Sequence, residues 1–279
     1  MKNFILVLLL VLISAVGFAQ KIKGSRAVTI TQKEIGDFES VELSDNLEIF
    51  LVKGDKSAVE IEADDNLHDA VAIDLSAGML RIGAAKEVGS FKKFSVRITY
   101  TSALTLVVAK GTTNITALTD LVLDNITVKT FESAKFFASV QAKKFVLMAN
   151  DKSKVELNLK ADAATVELSK NATLKALISA TKLTFDMYQK TAATVEGDVI
   201  DMKLRLDNNA NFVGKNLTAK TVQVVTEDYS AGSIIASEKA VIAAGGKSEI
   251  QLYGDPKIEI TKFSDSALLQ KKPTTGKVN

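Results

Sequence analysis

Between Lys110 and Gly254 short apolar runs and short polar patches follow one another at a near-constant interval. Within a run the apolar residues alternate. Val155, Leu157 and Leu159 fall on one side of an extended chain, and Glu156, Asn158 and Lys160 fall on the other. Val166 and Leu168 flank Glu167 in the same way. A period of two is the signature of a strand with one buried face. The polar patches are Asn150-Asp151-Lys152, Ser169-Lys170-Asn171, Asp207-Asn208-Asn209, Glu227-Asp228-Tyr229 and Gly245-Gly246-Lys247. These residue types suit turns, because Asn and Asp bond their own backbone and Gly tolerates positive φ. A small residue stands at one point of each unit, and these align as Thr113, Ala134, Ser153, Ala172, Ala193, Ala210, Ser230 and Ser248. One or two residues later comes an apolar residue: Ile115, Phe136, Val155, Leu174, Val195, Phe212 and Ile250, with Ile234 late.

A repeat of roughly 20 residues with two apolar runs and two polar corners is the pattern of a solenoid. The fold expected is all-β and mostly parallel, with coils of about 19 residues whose inward side chains stack into one core. The rival is helix. Glu132 to Asn150 and Ala161 to Lys182 are rich in Ala, Lys and Leu, which are good helix formers. The alternation and the close polar punctuation favour strands. Both prolines, Pro256 and Pro273, lie beyond the last repeat, as expected where nearly every backbone amide is needed in a ladder.

Upstream the alternation is present but less regular. It runs through Val41 and Leu43, Leu47 to Leu51, Val59 and Ile61, Val71 to Leu75, Leu80 and Ile82, Phe94 to Ile98, and Leu104 to Val108. The expected organisation is an extended lead-in over 20–36, an N-terminal β segment over 37–109, a repetitive solenoid over 110–262, and a cap and tail over 263–279. Phe263, Leu268 and Leu269 are the cap candidates, because an open last coil exposes core and strand edge. No Pro/Gly/Ser linker divides the chain, so the two β segments are expected to share a core or to dock closely.

Residues 1–19 carry one lysine, Lys2, then an apolar run, then Gly17 and Ala19. This is the pattern of a secretory signal peptide cut between Ala19 and Gln20. It predicts an exported protein of the periplasm, cell surface or medium. No later run approaches the roughly 18 apolar residues that span a bilayer. There is no cysteine, so the core is expected to hold without disulfides. The chain has 35 basic and 33 acidic residues, a balance that gives no support to nucleic-acid binding. Its only arginines are Arg26, Arg81, Arg97 and Arg205, a scarcity that disfavours bidentate reading of phosphates.

Candidate chemistry is thin. Without cysteine there is no thiolate nucleophile or ligand. The single histidine, His68, is expected in an exposed corner beside Asp65, Asn66 and Asp69. The carboxylate clusters are Asp64-Asp65, Glu227-Asp228 and Asp198 with Asp201. Paired carboxylates are what glycoside cleavage requires, and here a pair would have to be stacked from neighbouring coils. Asp45-Asn46, Asp64-Asp65-Asn66, Asn150-Asp151 and Asp207-Asn208-Asn209 offer oxygen ligands for calcium, yet Asn and Asp at corners are first of all turn formers. Tyr188 and Tyr229 are candidate partner anchors at corners. No catalytic, cofactor or metal residue is assigned.

Phe38-Glu39-Ser40-Val41, then Asn46-Leu47 and Leu51-Val52-Lys53-Gly54, resemble the opening of the family known as putative auto-transporter adhesin, head GIN domain. Val59-Glu60-Ile61 through Gly78-Met79-Leu80-Arg81-Ile82 is similar to it too, as is Gly246-Lys247-Ser248-Glu249-Ile250 through Gly254-Asp255-Pro256-Lys257-Ile258. The resemblance covers residues 38–270. It implies a right-handed parallel β-helix-like fold and a secreted protein of a Bacteroidetes-type bacterium. The family's Ser-Gly-rich corners survive only at Gly245 to Ser248 and weakly at Lys110-Gly111-Thr112. The expected function is non-catalytic, an adhesin-like envelope protein that binds an extracellular or envelope glycan or protein. Two alternatives stay open: a carbohydrate-active β-helix using outward carboxylates, and a periplasmic structural or sensory module.

Overall fold

The structure, a computed structural model, describes residues 21–273, with 68% in strands and 2% in helix. The expected signal peptide, with its Ala19–Gln20 cut, and the last six residues lie outside the described residues. The strands are β1 (Val28–Glu34), β2 (Ser40–Leu43), β3 (Glu48–Lys53), β4 (Ala58–Asp64), β5 (Val71–Ser76), β6 (Met79–Ala84), β7 (Phe94–Tyr100), β8 (Leu106–Ala109), β9 (Asn114–Ala117) and β10 (Leu121–Thr130). They continue as β11 (Lys135–Ala149), β12 (Lys154–Leu168), β13 (Thr173–Tyr188), β14 (Ala192–Asp207), β15 (Asn211–Thr226), β16 (Ala231–Ala244), β17 (Glu249–Tyr253), β18 (Lys257–Phe263) and β19 (Leu268–Lys271). One 3-10 turn, Asp65–Ala70, joins β4 to β5. The segments that could have been helical, Glu132 to Asn150 and Ala161 to Lys182, are strand with corners.

Strands β11 to β16 are each 14 to 16 residues long and form one coil apiece. They pair in parallel with a register step of about 19 residues, Lys135 to Lys154 to Thr173 to Ala192 to Asn211. The whole stack makes about 9 turns. Each long strand bends once. At the bend the inward–outward alternation resets, so that Asp162 and Ala163 both turn away from the core before Ala164 points in again. The position at the bend drops out of the ladder, as Lys143 and Asp162 do between β11 and β12.

Four-residue corners close the coils, and they explain the polar patches. One corner residue sits in the left-handed region at most of them, as with Glu132 at φ 59°, Asp151 at 60°, Lys170 at 61°, Asp228 at 56° and Gly246 at 67°, and two do so at Gln189–Lys190 and at Asn208–Asn209. The last corner residue points inward where the walls converge, and only a small side chain fits. That buried column is Thr113, Ala134, Ser153, Ala172, Thr191, Ala210, Ser230 and Ser248. The sequence alignment is right at seven of these positions. In the remaining coil the corner residue is Thr191, two residues before Ala193, which restores a uniform step of 19 from Ser153 to Ala210. The buried hydroxyls bond inside: Thr130 Oγ1 donates to Ser153 Oγ at 3.0 Å, and Ser230 Oγ donates to the Glu227 carbonyl at 2.6 Å. Large side chains fill the middle of the core. Phe136, Phe145, Phe185 and Phe212 are fully buried, and the Phe185 and Phe212 rings meet edge-on at 5.2 Å.

The N-terminal end is not wound in chain order. The β2–β3 coil lies between the β6–β7 coil on one side and the β8–β9 coil on the other, all in parallel. Antiparallel strands then roof the outer coil. Strand β5 pairs with β6, β4 pairs with β7, and β1 pairs with β4. Val59, Ile61 and Leu67 are buried beneath this roof. The lead-in contributes β1 to it. Because β8 also pairs with β10, all 19 strands form one continuous ladder. At the other end β18 pairs only with β16, and β19 only with β17, among the described residues. Phe263 and Leu268, the expected cap residues, are exposed there, and Leu269 is half-buried.

Candidate functional site

Because the bend recurs at the same place in successive coils, it makes a trough that runs along the solenoid. Five side chains stack along one wall through the parallel register: Gln141, Lys160, Ser179, Asp198 and Thr218. Lys143, Asp162, Thr181, Ile200 and Lys220 form the other wall. The floor is Ala142, Ala161, Ala180 and Val199, small residues that let the two walls fold towards each other. The trough encloses about 690 Å³. Five steps from the coil of Gln141 to that of Ser237, at about 4.8 Å each, give it a length of about 24 Å.

The end of the trough nearer the N-terminus is tied internally. Lys143 Nζ bonds Asp124 at 2.9 Å, and Gln141 Nε2 donates to Asp120 at 3.1 Å. The middle is not. Among the described residues Lys160, Asp162, Ser179, Thr181 and Asp198 make no side-chain hydrogen bond or ion pair within the protein. These five supply donors and acceptors, and charges of both signs, in a fixed lattice set by the strand spacing. Such a lattice suits an extended ligand carrying hydroxyl or amide groups at regular intervals. No aromatic side chain lines it, so binding there would rest on hydrogen bonds and not on ring stacking.

A second polar group lies on the outer face between the bend and the corners. Glu167, Asp186 and Arg205 occupy paired positions in three successive coils, and Tyr188 pairs with Asp207. The Arg205 guanidinium lies 5.8 Å from the centre of the Tyr188 ring and 3.9 Å from Asp207. Partial burial pushes the Asp186 carboxyl above its ordinary range, although the Arg205 charge pulls it back. Burial also raises Tyr188, with the Asp186, Glu167 and Asp207 charges adding to the effect and Arg205 opposing it. Glu167 and Asp186 are thus a carboxylate pair stacked from neighbouring coils. The alternation of Val166 and Leu168 places Glu167 on the outward face, but its pairing with Asp186 depends on the 19-residue register, which the sequence alignment misplaced at this coil.

The other sequence candidates are structural or dispersed. Asp64 is fully buried and accepts the backbone amides of Arg26, Lys92 and Lys93. Asp65 accepts the Ser25 hydroxyl. His68 is half-buried in the 3-10 turn, with Nε2 at 2.8 Å from Thr29 Oγ1, and not in an exposed corner. Its position follows from the antiparallel roof, which brings β1 alongside. Asp228 holds a corner at positive φ. Asp198 lies on the trough wall, while Asp201 accepts the Thr221 hydroxyl beyond the bend. Asp151 bonds Lys170 Nζ at 2.8 Å, and Asn208 and Asn209 both adopt positive φ, so these corner residues serve the turns. Tyr229 is exposed in its corner, with the Lys247 ammonium 5.3 Å above its ring; Tyr188 instead ends a strand. Among the described residues no three His, Asp or Glu side chains converge as metal ligands, and no helix is long and apolar enough to cross a membrane.

Comparison with known proteins agrees with this architecture. The family model described as putative auto-transporter adhesin, head GIN domain matches residues 37–177 and 147–256. A putative lipid binding protein from Parabacteroides distasonis ATCC 8503 has a similar crystal structure, with a TM-score of 0.64 at 12% identity, covering 91% of this chain and 100% of that one. A putative adhesin from the same organism gives 0.63 at 18% identity, covering 90% and 100%. A putative adhesin from Parabacteroides merdae ATCC 43184 gives 0.62 at 20%, covering 91% and 100%. At these identities the likeness is one of fold. No curated protein matches the chain.

Proposed function

The chain belongs to the putative auto-transporter adhesin, head GIN domain family, and from that membership we propose that it is an exported, non-catalytic binding protein of the cell envelope or surface. Its ligand in this reading is an extended, hydroxyl-rich polymer, a glycan, laid along the bend trough. The observation that carries the reading is the run of side chains without partners among the described residues, Lys160, Asp162, Ser179, Thr181 and Asp198, repeated at the coil spacing over small-residue floors. A solenoid offers such a surface because its length grows by stacking without change of cross-section. The neighbouring protein described as lipid-binding raises a second ligand class, but mixed-charge walls match hydroxyls better than acyl chains.

Protease treatment of intact cells tests the surface part of the proposal. Cleavage of this protein while a periplasmic control survives supports a surface position. Resistance until the outer membrane is opened, with the purified protein cleavable, would exclude the surface adhesin reading.

One observation favours a catalytic alternative. Glu167 and Asp186 are half-buried carboxylates stacked in register on neighbouring coils, and burial raises the Asp186 carboxyl, as a general acid requires. Hydrolysis of a soluble polysaccharide that disappears in both Glu167→Gln and Asp186→Asn would establish that alternative. Unchanged polysaccharide length with the native protein would remove it.

A further inference from the structure

The two ends of the solenoid are finished differently. At the N-terminal end β4, β5 and β1 roof the outermost coil, and the residues below them are buried. At the other end the last coil has no such roof among the described residues. Ile258, Ile260 and Phe263 pair with Ala240, Ile242 and Ala244, all fully buried inward residues, so they stand on the core side. Yet they are 43%, 52% and 47% exposed. The outer edge of β18 carries backbone donors and acceptors that no described strand meets. An open, apolar edge strand is a template for adding another strand.

The geometry points to a second copy of this chain as the occupant, joined end to end through antiparallel pairing of β18 with its own equivalent. Head-to-tail stacking is disfavoured because the N-terminal coil already has its antiparallel roof. The ladder shifts register in β18 at Thr261, which pairs with no residue of β16, so that Ile260 and Phe263 both fall on the core side. A two-fold axis at that shift, between Ile260 and Thr261, gives a register in which each copy satisfies the other. It sets Ile258 opposite Phe263 of the second copy, both on the core side. It sets Glu259 opposite Lys262, both on the outward side, so opposite charges meet twice. Within the chain Glu259 bonds Lys239 at 2.9 Å and Lys262 lies 3.8 Å from Glu227, so each gains a partner and loses none. Such a contact is isologous, and it closes at two copies instead of growing into a filament. The result is a doubled solenoid with two troughs on one rigid body, which strengthens binding to a repetitive polymer through effective concentration.

The test is the mass of the purified exported protein by light scattering and sedimentation, from micromolar to hundreds of micromolar, beside Ile260→Lys. A concentration-dependent dimer that becomes monomeric in Ile260→Lys is the expected result, with unchanged circular dichroism and with an unfolding midpoint equal to the native one at dilutions where both are monomeric. Because the chain has no cysteine, Glu259→Cys with Lys262→Cys reads the register directly, and the expected product is a covalent dimer under oxidation. Monomer at every concentration would overturn the proposal. So would a ladder of higher oligomers, or a dimer that Ile260→Lys leaves intact. Failure of the double cysteine variant to cross-link in a native-like dimer would overturn the pairing of β18.

Discussion

Asp64 Oδ2 accepts the backbone amide of Arg26 at 2.9 Å, across the junction between the lead-in and the roofed end of the solenoid. The same carboxylate takes the amides of Lys92 at 3.1 Å and Lys93 at 3.0 Å. Burial alone would push this carboxyl up, but the three amide bonds and the nearby Lys92 charge outweigh it and hold it below its ordinary value. The stabilisation is therefore fully present above the unfolded pKa of about 3.9 and is lost as pH falls through the lower folded value. Hydrogen exchange at Arg26, Lys92 and Lys93, corrected for intrinsic rates, should accelerate selectively below about pH 4. Asp64→Ala should produce the same pattern at neutral pH. Uniform exchange across the chain under both conditions would show that Asp64 does not pin this end.

Core stacking should dominate stability along the coils. Phe185→Ala removes a fully buried ring and its edge contact with Phe212, and the expected loss is about 3–5 kcal/mol by denaturant unfolding. Leu177→Ala, on the exposed outer face of the same strand, should stay within about 0.5 kcal/mol.

Gly197 adopts φ 118°, and a Cβ there would run into the Ile178 carbonyl of the coil below. It follows the register shift between Thr194 and Glu196. Gly197→Ala should destabilise by about 1–3 kcal/mol, the usual scale for backbone strain. A neutral result in thermal unfolding would mean that the ladder relaxes at this bulge.

The sign is opposite at Asp186. Its carboxyl is raised by burial against the pull of Arg205, so the ionised form is disfavoured in the fold. That penalty is absent below the unfolded pKa and develops as pH rises through the folded one. Asp186→Asn should raise the unfolding midpoint at pH 7 and leave it unchanged in acid, where the native residue is already protonated. A drop at pH 7 would show that the Arg205 interaction outweighs burial.

The repetitive coils were legible because two local demands recur at every corner: a residue that tolerates positive φ, and then a small residue where the walls converge. Asp151 with Ser153 shows both. The slip from Thr191 to Ala193 arose because both are small and the inward alternation is the same at either position. The bend was not legible. It consumes one residue, as at Asp162, and its floor residue is alanine, which carries no signal of its own. The N-terminal winding was hidden for a different reason. Val41 pairs with Leu80 and with Val107, and nothing local in β2 states that its neighbours come later in the chain on both sides. The same long-range pairing puts His68 beside Thr29. The trough and the Glu167–Asp186 pair share this character, since both exist only once the coils are stacked in register.

The most direct measurement is retention of the purified protein on a panel of immobilised envelope and host polysaccharides, with two variants of outward threonines. Thr181→Trp fills the middle of the trough; Thr165→Trp adds the same bulk on the outer face beyond it. The expected result is that at least one polysaccharide retains the native protein, that Thr181→Trp weakens retention at least tenfold, and that Thr165→Trp leaves it unchanged. No retention on any polysaccharide, or retention that Thr181→Trp does not alter, would contradict it.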